Sequence, residues 1–236
     1  MPEGYQHIAT PDPHSLWVVV PAYNEAQSIG SVVSALRSEG YRVVVVDDGS
    51  QDGTADVARA AGAIVLRHDL NLGQGGALQT GIAYSLESGA SYICTFDADG
   101  QHSAADVANM WRCLIAQDAD IVLGSRFLGT SVGITRSRKL LLRLAVWFTR
   151  LHSGLKVTDT HNGLRLMTAQ AASKLHLKQM GMAHASEILD EIAANQLRFC
   201  EYPVTIVYTE YSKKKGQSGL GSIRILTDLI LGRMLK

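Results

Sequence analysis

Tyr92-Ile93-Cys94-Thr95-Phe96-Asp97-Ala98-Asp99-Gly100-Gln101-His102 decides the fold. Its first five residues form a short apolar run of the kind that makes a buried strand. The run stops at a carboxylate, a small residue and a second carboxylate. Oxygen ligands on alternate positions at a strand end suit one hard cation, Mg²⁺ or Mn²⁺, which completes its shell with water and substrate phosphates. Gln101 adds a carbonyl oxygen or a hold on a metal-bound water. The same residues also read as a turn whose acids cap a helix begun at Ser103 or Asp106, and the rest of the chain weighs one reading against the other.

Upstream, the pattern repeats. Leu16-Trp17-Val18-Val19-Val20 predicts a strand that stops at Pro21-Ala22-Tyr23-Asn24-Glu25, followed by a helix through Ile29, Val32, Val33 and Leu36. Arg42-Val43-Val44-Val45-Val46 predicts a second strand, ended by Asp47-Asp48-Gly49-Ser50, and Asp52-Gly53-Thr54 opens a second helix. Ala63-Ile64-Val65-Leu66 predicts a third strand. The loop Asn71-Leu72-Gly73-Gln74-Gly75-Gly76 then leads into a helix from Ala77 to Leu86. Downstream, a helix near Ala105–Gln117 precedes a fifth strand, Asp120-Ile121-Val122-Leu123-Gly124. Short strands alternating with helices predict an α/β fold with a doubly wound, mostly parallel, Rossmann-like sheet. Continuous Val/Ile runs suit strands covered on both faces. Ligands of such sheets sit at the carboxyl ends of the strands. Three acidic strand ends on one edge are hard to explain as helix caps alone.

Several classes are excluded. No G-x-G-x-x-G follows the first strand and no G-K-[ST] occurs, against a nicotinamide or ATPase site. Lys+Arg and Asp+Glu both number 22, so global charge does not point to nucleic acid. Hydrophobic residues make up 46%, ordinary for a globular chain. The three cysteines, Cys94, Cys113 and Cys200, are widely spaced and predict reduced thiols in a cytosol. Met1 to Ser15 shows no apolar signal core, and no apolar run is long enough to span a bilayer. One domain over residues 1–236 is expected, in two parts, 16–127 and 128–236.

Taken together, V-V-V-P-A-Y-N-E, V-V-D-D-G-S-Q-D-G-T, N-L-G-Q-G-G-A-L-Q-T-G, F-D-A-D-G-Q-H and G-S-R-F resemble the family 2 glycosyltransferases of GT-A fold. The resemblance spans about Leu16 to Phe127. The F-D-A-D-G-Q-H form is most similar to the dolichyl-phosphate mannosyltransferase branch and its bacterial relatives, which charge a polyprenyl phosphate with sugar. The resemblance implies that Pro21, Tyr23 and Glu25 line a nucleoside pocket, that Asp48 hydrogen-bonds the base with Asp47 beside it, and that Gly76 and Ala98 contact the nucleotide sugar. It implies that Asp97 and Asp99 hold the metal on the donor diphosphate, helped by Gln101. The family often carries Lys where this chain has Gln74.

The second half has a different character. At about 100° per residue, Leu140, Leu144, Phe148, Leu151 and Leu155 share a face, and Arg136, Lys139, Arg143 and Arg150 share its neighbour, with Trp147 near the boundary. Two readings stand: a helix lying in a membrane surface, or a helix docking its apolar face on the core. Asp159-Thr160-His161-Asn162-Gly163-Leu164-Arg165 resembles the family's D-x-x-x-G-F-R element and implies one wall of the acceptor side, with Arg165 paired to an acid or a phosphate. Glu187 matches an acid common in the family, which serves as general base where the acceptor is a hydroxyl. Phe199 to Tyr208 predicts a strand. Lys213-Lys214-Lys215, before Gly216, resembles a basic loop that covers the donor diphosphate, with Lys215 as its contact. The apolar tail from Ile223 to Leu235 predicts an amphipathic helix, and leaves room for a membrane-protein partner or a second copy of the chain. His102, His161 and His184 have no zinc spacing and read as surface or hydrogen-bonding residues.

The expectation is an inverting transferase that uses a UDP- or GDP-sugar, with a polyprenyl phosphate acceptor at the cytoplasmic membrane face. Asp99, Arg126 and Glu187 are its catalytic candidates, and Arg126 is a candidate to hold the acceptor phosphate. The alternatives are a transferase acting on a saccharide hydroxyl, with Glu187 or Asp190 as base, and a non-catalytic nucleotide-sugar-binding subunit.

Overall fold

A computed structural model describes residues 12–179, 181 and 183–208. The predicted Lys213–Lys215 loop and the tail helix lie outside the described residues.

The three Val-rich runs form parallel strands β1 (Leu16–Ala22), β2 (Arg42–Asp47) and β3 (Ile64–Arg67). The helices between them are α1 (Ile29–Ser38) and α2 (Thr54–Ala60). Helix α3 (Gln74–Glu87) leads to β4 (Tyr92–Thr95), which pairs in parallel with the other side of β1. The described sheet has seven strands in the order β3-β2-β1-β4-β6-β5-β7. Alternation along the strands explains why the Val runs are unbroken. Val18, Val20, Val43 and Val45 pack into the core layer of α1 and α4 (Ala104–Ala116), while Trp17, Val19, Val44 and Val46 pack into the layer of α3. Both faces are buried, so both sets must be apolar.

The second half departs from a simple doubly wound sheet. Strand β6 (Arg165–Thr168) inserts antiparallel between β4 and β5 (Ile121–Val132). It was not predicted, because four residues beginning with a charged Arg carry no strand signal of their own. Strand β5 runs past the predicted end at Gly124 to Val132. Its glycine-containing extension pairs with β7 (Phe199–Val207) across an irregularity between Ser125 and Thr130. Glycine is required there, since a Cβ on Gly129 would meet the Val204 backbone oxygen at 2.2 Å. Helix α3 also starts earlier than predicted and takes in Gly75 and Gly76. A Cβ on Gly75 would lie 2.0 Å from the Gln179 carbonyl oxygen, so this glycine is there for close packing.

Helices α5 (Arg136–Ser153), α6 (Ala169–Ala172) and α7 (His184–Ala194) complete the described chain. In α5 the buried positions include Ala145, Val146 and Thr149, whereas Leu140, Leu144 and Trp147 are 61%, 53% and 65% exposed. The predicted apolar face therefore does not dock on the core at Leu140 and Leu144. Arg143 sits over the Phe127 ring, 5.9 Å from its centroid, and Arg150 Nε donates to the Val157 carbonyl at 2.6 Å.

Candidate functional site

The carboxyl ends of β1, β2 and β4 open on one cavity of about 490 Å³. Its walls come from the end of β1 and the loop after it (Pro21, Tyr23, Glu25), from Asp48, from the start of α3, from Asp97, Ala98, Asp99, Gln101 and His102, and from Arg126 and His161.

The β1 and β2 loops are fastened to each other. The Asn24 N–H donates to Ser50 Oγ (2.9 Å), and the Gln51 N–H donates to Asn24 Oδ1 (3.0 Å). The Glu25 N–H donates to Thr54 Oγ1 at 2.8 Å, and Ser28 Oγ donates to Glu25 Oε2 at 2.8 Å. Asn24 has φ of 53°, a left-handed conformation that Asn tolerates, and it turns Tyr23 out at the cavity edge. The adjacent acids separate. Asp47 Oδ1 accepts from the Ser50 N–H at 3.0 Å and Asp47 Oδ2 lies 3.5 Å from Arg67 Nε, so this carboxylate braces the turn and does not line the cavity. Asp48 lines it, and accepts from His68 Nδ1 (2.7 Å), the Leu72 N–H (2.9 Å) and the Gly73 N–H (2.7 Å).

Asp97 and Asp99 both reach the cavity. Gln74 Nε2 donates to Asp97 Oδ1 at 3.2 Å, and His102 Nε2 lies 3.0 Å from Asp97 Oδ2. Gly163 backs the carboxylate so closely that a Cβ there would fall 2.2 Å from both of its oxygens. Asp99 accepts from the Gln101 N–H at 3.0 Å and from Gln101 Nε2 at 2.6 Å. Burial works to raise both acids. For Asp97 the His102 hydrogen bond, with the charges of His102, Arg165 and His184, outweighs it and holds the carboxyl below the usual range. For Asp99, burial and then the neighbouring Asp97 push the carboxyl up to about 6. Two carboxylates crowded this way gain from a shared cation. Among the described residues no group of three His, Cys, Asp or Glu side chains forms a metal cage. A pair of carboxylates is nevertheless the protein share that Mg²⁺ ordinarily takes when phosphates supply the rest, so the donor set fits a hard divalent ion.

The opposite wall is a buried ion-pair network. Arg126 Nε donates to Asp159 Oδ2 at 2.6 Å, Arg126 Nη1 to Tyr208 Oη at 3.0 Å, and Arg126 Nη2 to the His161 carbonyl at 2.7 Å. Burial opposes the Arg126 charge, but Asp159 and Tyr208 outweigh it. Glu201 fixes the loop from below by accepting from the Thr158 and Asp159 N–H groups at 2.8 and 3.2 Å. Burial holds His161 down to about 4, so its ring is neutral near pH 7.

The structure thus brings together Pro21, Tyr23, Glu25, Asp48, Asp97, Ala98, Asp99, Gln101 and Arg126 around the cavity. Gly76 is buried inside α3 and does not line it. Glu187 does not line it either: its Oε1 and Oε2 accept from the Lys178 N–H and its Oε2 from the Gln179 N–H, all near 3.0 Å. Lys215 lies outside the described residues. His68, Gly163 and Asp159 hold site residues in place and were not singled out for that task. Their roles are tertiary; Asp159 and Gly163 showed only as parts of the D-x-x-x-G element, and His68 only as a residue shortly past a predicted strand.

The profile of glycosyl transferase family 2 matches residues 17–175. An uncharacterized protein of Methanocaldococcus jannaschii is 38% identical over 226 residues, covering 93% of this chain and 92% of its own. A UDP-N-acetylglucosamine–dolichyl-phosphate N-acetylglucosaminyltransferase of Methanococcus voltae is 30% identical, covering 94% and 97%. An undecaprenyl-phosphate mannosyltransferase of Micrococcus luteus is 31% identical, covering 86% and 87%. Among solved structures, glucosyl-3-phosphoglycerate synthase of Mycobacterium tuberculosis superposes with a TM-score of 0.70 at 19% identity, over 93% of this chain and 80% of that one. The same enzyme with Mn²⁺, UDP-glucose and phosphoglyceric acid gives a TM-score of 0.68. The fold is GT-A, the acidic strand ends stand where the motifs predicted them, and the chain belongs to glycosyl transferase family 2.

Proposed function

We propose that this glycosyltransferase moves a sugar from a UDP- or GDP-sugar to a polyprenyl phosphate, with inversion, at the cytoplasmic surface of a membrane. One observation carries the reading: Asp48 and the Asp97/Asp99 pair face a single cavity from strand ends on either side of β1. Asp48 is a fixed hydrogen-bond acceptor for a base N–H, and Tyr23 offers a ring beside it. Asp97 and Asp99 would hold Mg²⁺ or Mn²⁺, which supplies positive charge to the leaving diphosphate. The acceptor phosphate oxygen attacks the anomeric carbon as the bond from that carbon to the diphosphate oxygen breaks. Attack opposite the leaving group inverts the centre, and the nucleoside diphosphate departs. An ionised phosphate brings no proton to remove. Glu187, the base candidate for a hydroxyl acceptor, does not line the cavity. Both metal acids reach the cavity, which disfavours a purely binding subunit.

Relatives named for dolichyl and undecaprenyl phosphate support the acceptor class. So does α5, whose Leu140, Leu144 and Trp147 face outward beside exposed Lys139 and Arg143. Such a face suits an anionic lipid surface. None of the described helices is long and apolar enough to cross a membrane. The test is transfer from radiolabelled UDP- and GDP-sugars, with Mn²⁺, to undecaprenyl phosphate in vesicles. A lipid-linked sugar is expected. Transfer to soluble saccharides alone would replace this reading with the hydroxyl-acceptor one.

A further inference from the structure

Asp48 is held by a side chain that does not itself reach the cavity. An ionised carboxylate offers about four lone-pair positions. On Oδ1 two are filled, by His68 Nδ1 and the Leu72 N–H; on Oδ2 one is filled, by the Gly73 N–H. A single position on Oδ2 is left for a ligand. The Leu72 and Gly73 donors belong to the backbone of the loop into α3, so they orient Asp48 only as well as that loop is held. His68 supplies the one side-chain donor. Its ring is 12% exposed, it does not line the cavity, and its Nε2 lies 3.0 Å from Thr80 Oγ1 on α3. With the proton on Nδ1, the ring donates to Asp48 and accepts from the Thr80 hydroxyl, and every atom of the chain is satisfied. The other tautomer would set a nitrogen lone pair against a carboxylate lone pair at 2.7 Å. The geometry therefore selects one tautomer.

We infer that His68, locked by Thr80, is a positioning residue for base recognition: it fixes the rotation of the Asp48 carboxylate so that its one open lone pair meets a nucleobase N–H. This rests on the nucleoside reading of the cavity given above. The carboxylate torsion is intrinsically broad, so without His68 only the two backbone donors of the loop hold it, its rotation is less tightly fixed, and donor affinity falls. The diphosphate end, at Asp97 and Asp99, is untouched.

The experiment measures UDP and GDP affinity by calorimetry in EDTA, and steady-state transfer with Mn²⁺, on His68→Leu, His68→Asn, Thr80→Val and Asp48→Ala. For the better-bound nucleotide, His68→Leu should raise Kd and donor KM about tenfold, the loss of one charge-assisted hydrogen bond, while kcat at saturating donor falls less than twofold. The His68→Asn amide nitrogen stands near the Nδ1 place and should restore most of the affinity. Thr80→Val should raise Kd about threefold, since it removes only the lock. If Asp48→Ala leaves UDP and GDP affinity unchanged, the nucleoside reading fails and the inference with it. If Asp48→Ala weakens binding but His68→Leu does not, the inference alone is overturned. A merely structural His68 would lower kcat and thermal stability together without rescue by Asn, and that result also overturns it.

Discussion

The acids at the end of β2 and the acids at the end of β4 are the same residue type put to different uses. Asp47 and Asp48 are adjacent, so their side chains leave the chain on opposite sides. One braces a turn through Ser50 and Arg67, and the other enters the cavity. Asp97 and Asp99 are separated by Ala98, and both enter the cavity. Asp48 arrives with its charge met by three N–H donors. Asp97 and Asp99 arrive crowded, with Asp99 raised to about 6 by burial and by its neighbour. A carboxylate with three donors and one open lone pair suits a further hydrogen-bond donor. A crowded pair seeks a cation. The spacing in the sequence, one residue against none, sets that difference.

The comparison breaks most visibly at the β4 pair. Asp99→Asn should lower turnover by at least ~10²-fold, as expected when charge stabilisation of a leaving group is lost. It should leave nucleoside diphosphate affinity in EDTA unchanged; a parallel loss of both would mean that the two acid sites are not separate. Gly163→Ala tests the same pair without touching a ligand residue. Its Cβ would collide with the Asp97 carboxylate, so Mn²⁺ affinity read by electron paramagnetic resonance should fall roughly 10–100-fold. Unchanged Mn²⁺ binding would put the metal elsewhere. At β2, Asp48→Ala should weaken nucleotide binding by about tenfold or more and leave Mn²⁺ binding alone.

Smaller effects come from the second part of the chain. Lys139→Gln with Arg143→Gln should reduce partition onto anionic vesicles by roughly 30-fold, at about 1 kcal/mol per charge removed. Donor hydrolysis should persist. Arg150 is a poor choice for this test, because its Nε already serves the Val157 carbonyl. The smallest effect concerns buried histidines. Burial, aided by the charge of Arg165, holds His184 down to about 4 from an ordinary 6.5. The unfolded chain protonates near 6.5 and the folded chain near 4. The stability tied to the neutral ring is therefore complete above 6.5 and is lost progressively as pH falls towards 4. His184→Gln should flatten the fall of Tm over that interval; an unaltered slope would assign the acid sensitivity to other groups.

The strands and the cavity acids of the donor half were legible because the signals there are local. Val runs buried on both faces, an i,i+2 acid pair and acids at parallel strand ends all show within a few residues. What depends on distant partners stayed hidden. Arg126 read as a free phosphate ligand, yet it is engaged by Asp159 and Tyr208, 33 and 82 residues away. Glu187 read as a base, yet it holds the 178–179 backbone. The apolar face of α5 was visible, but its direction was not. Buried Ala145, Val146 and Thr149 turn Leu140 and Leu144 outward, and periodicity names faces without saying which one meets the core.

The antiparallel placement of β6 also bears on how the chain is made. On the ribosome, β1 to β4 emerge in sequence and can pair as a parallel sheet. The partner of the remaining β4 edge, Arg165–Thr168, follows about seventy residues later. At 5–20 residues per second, that edge waits roughly 4–14 s with its backbone donors and acceptors unpaired. An open, apolar strand edge is a template for the wrong neighbour. Nascent chains stalled before residue 165 should therefore aggregate or engage chaperones more than chains that have released both β6 and β7, the latter of which also closes the far edge of β5.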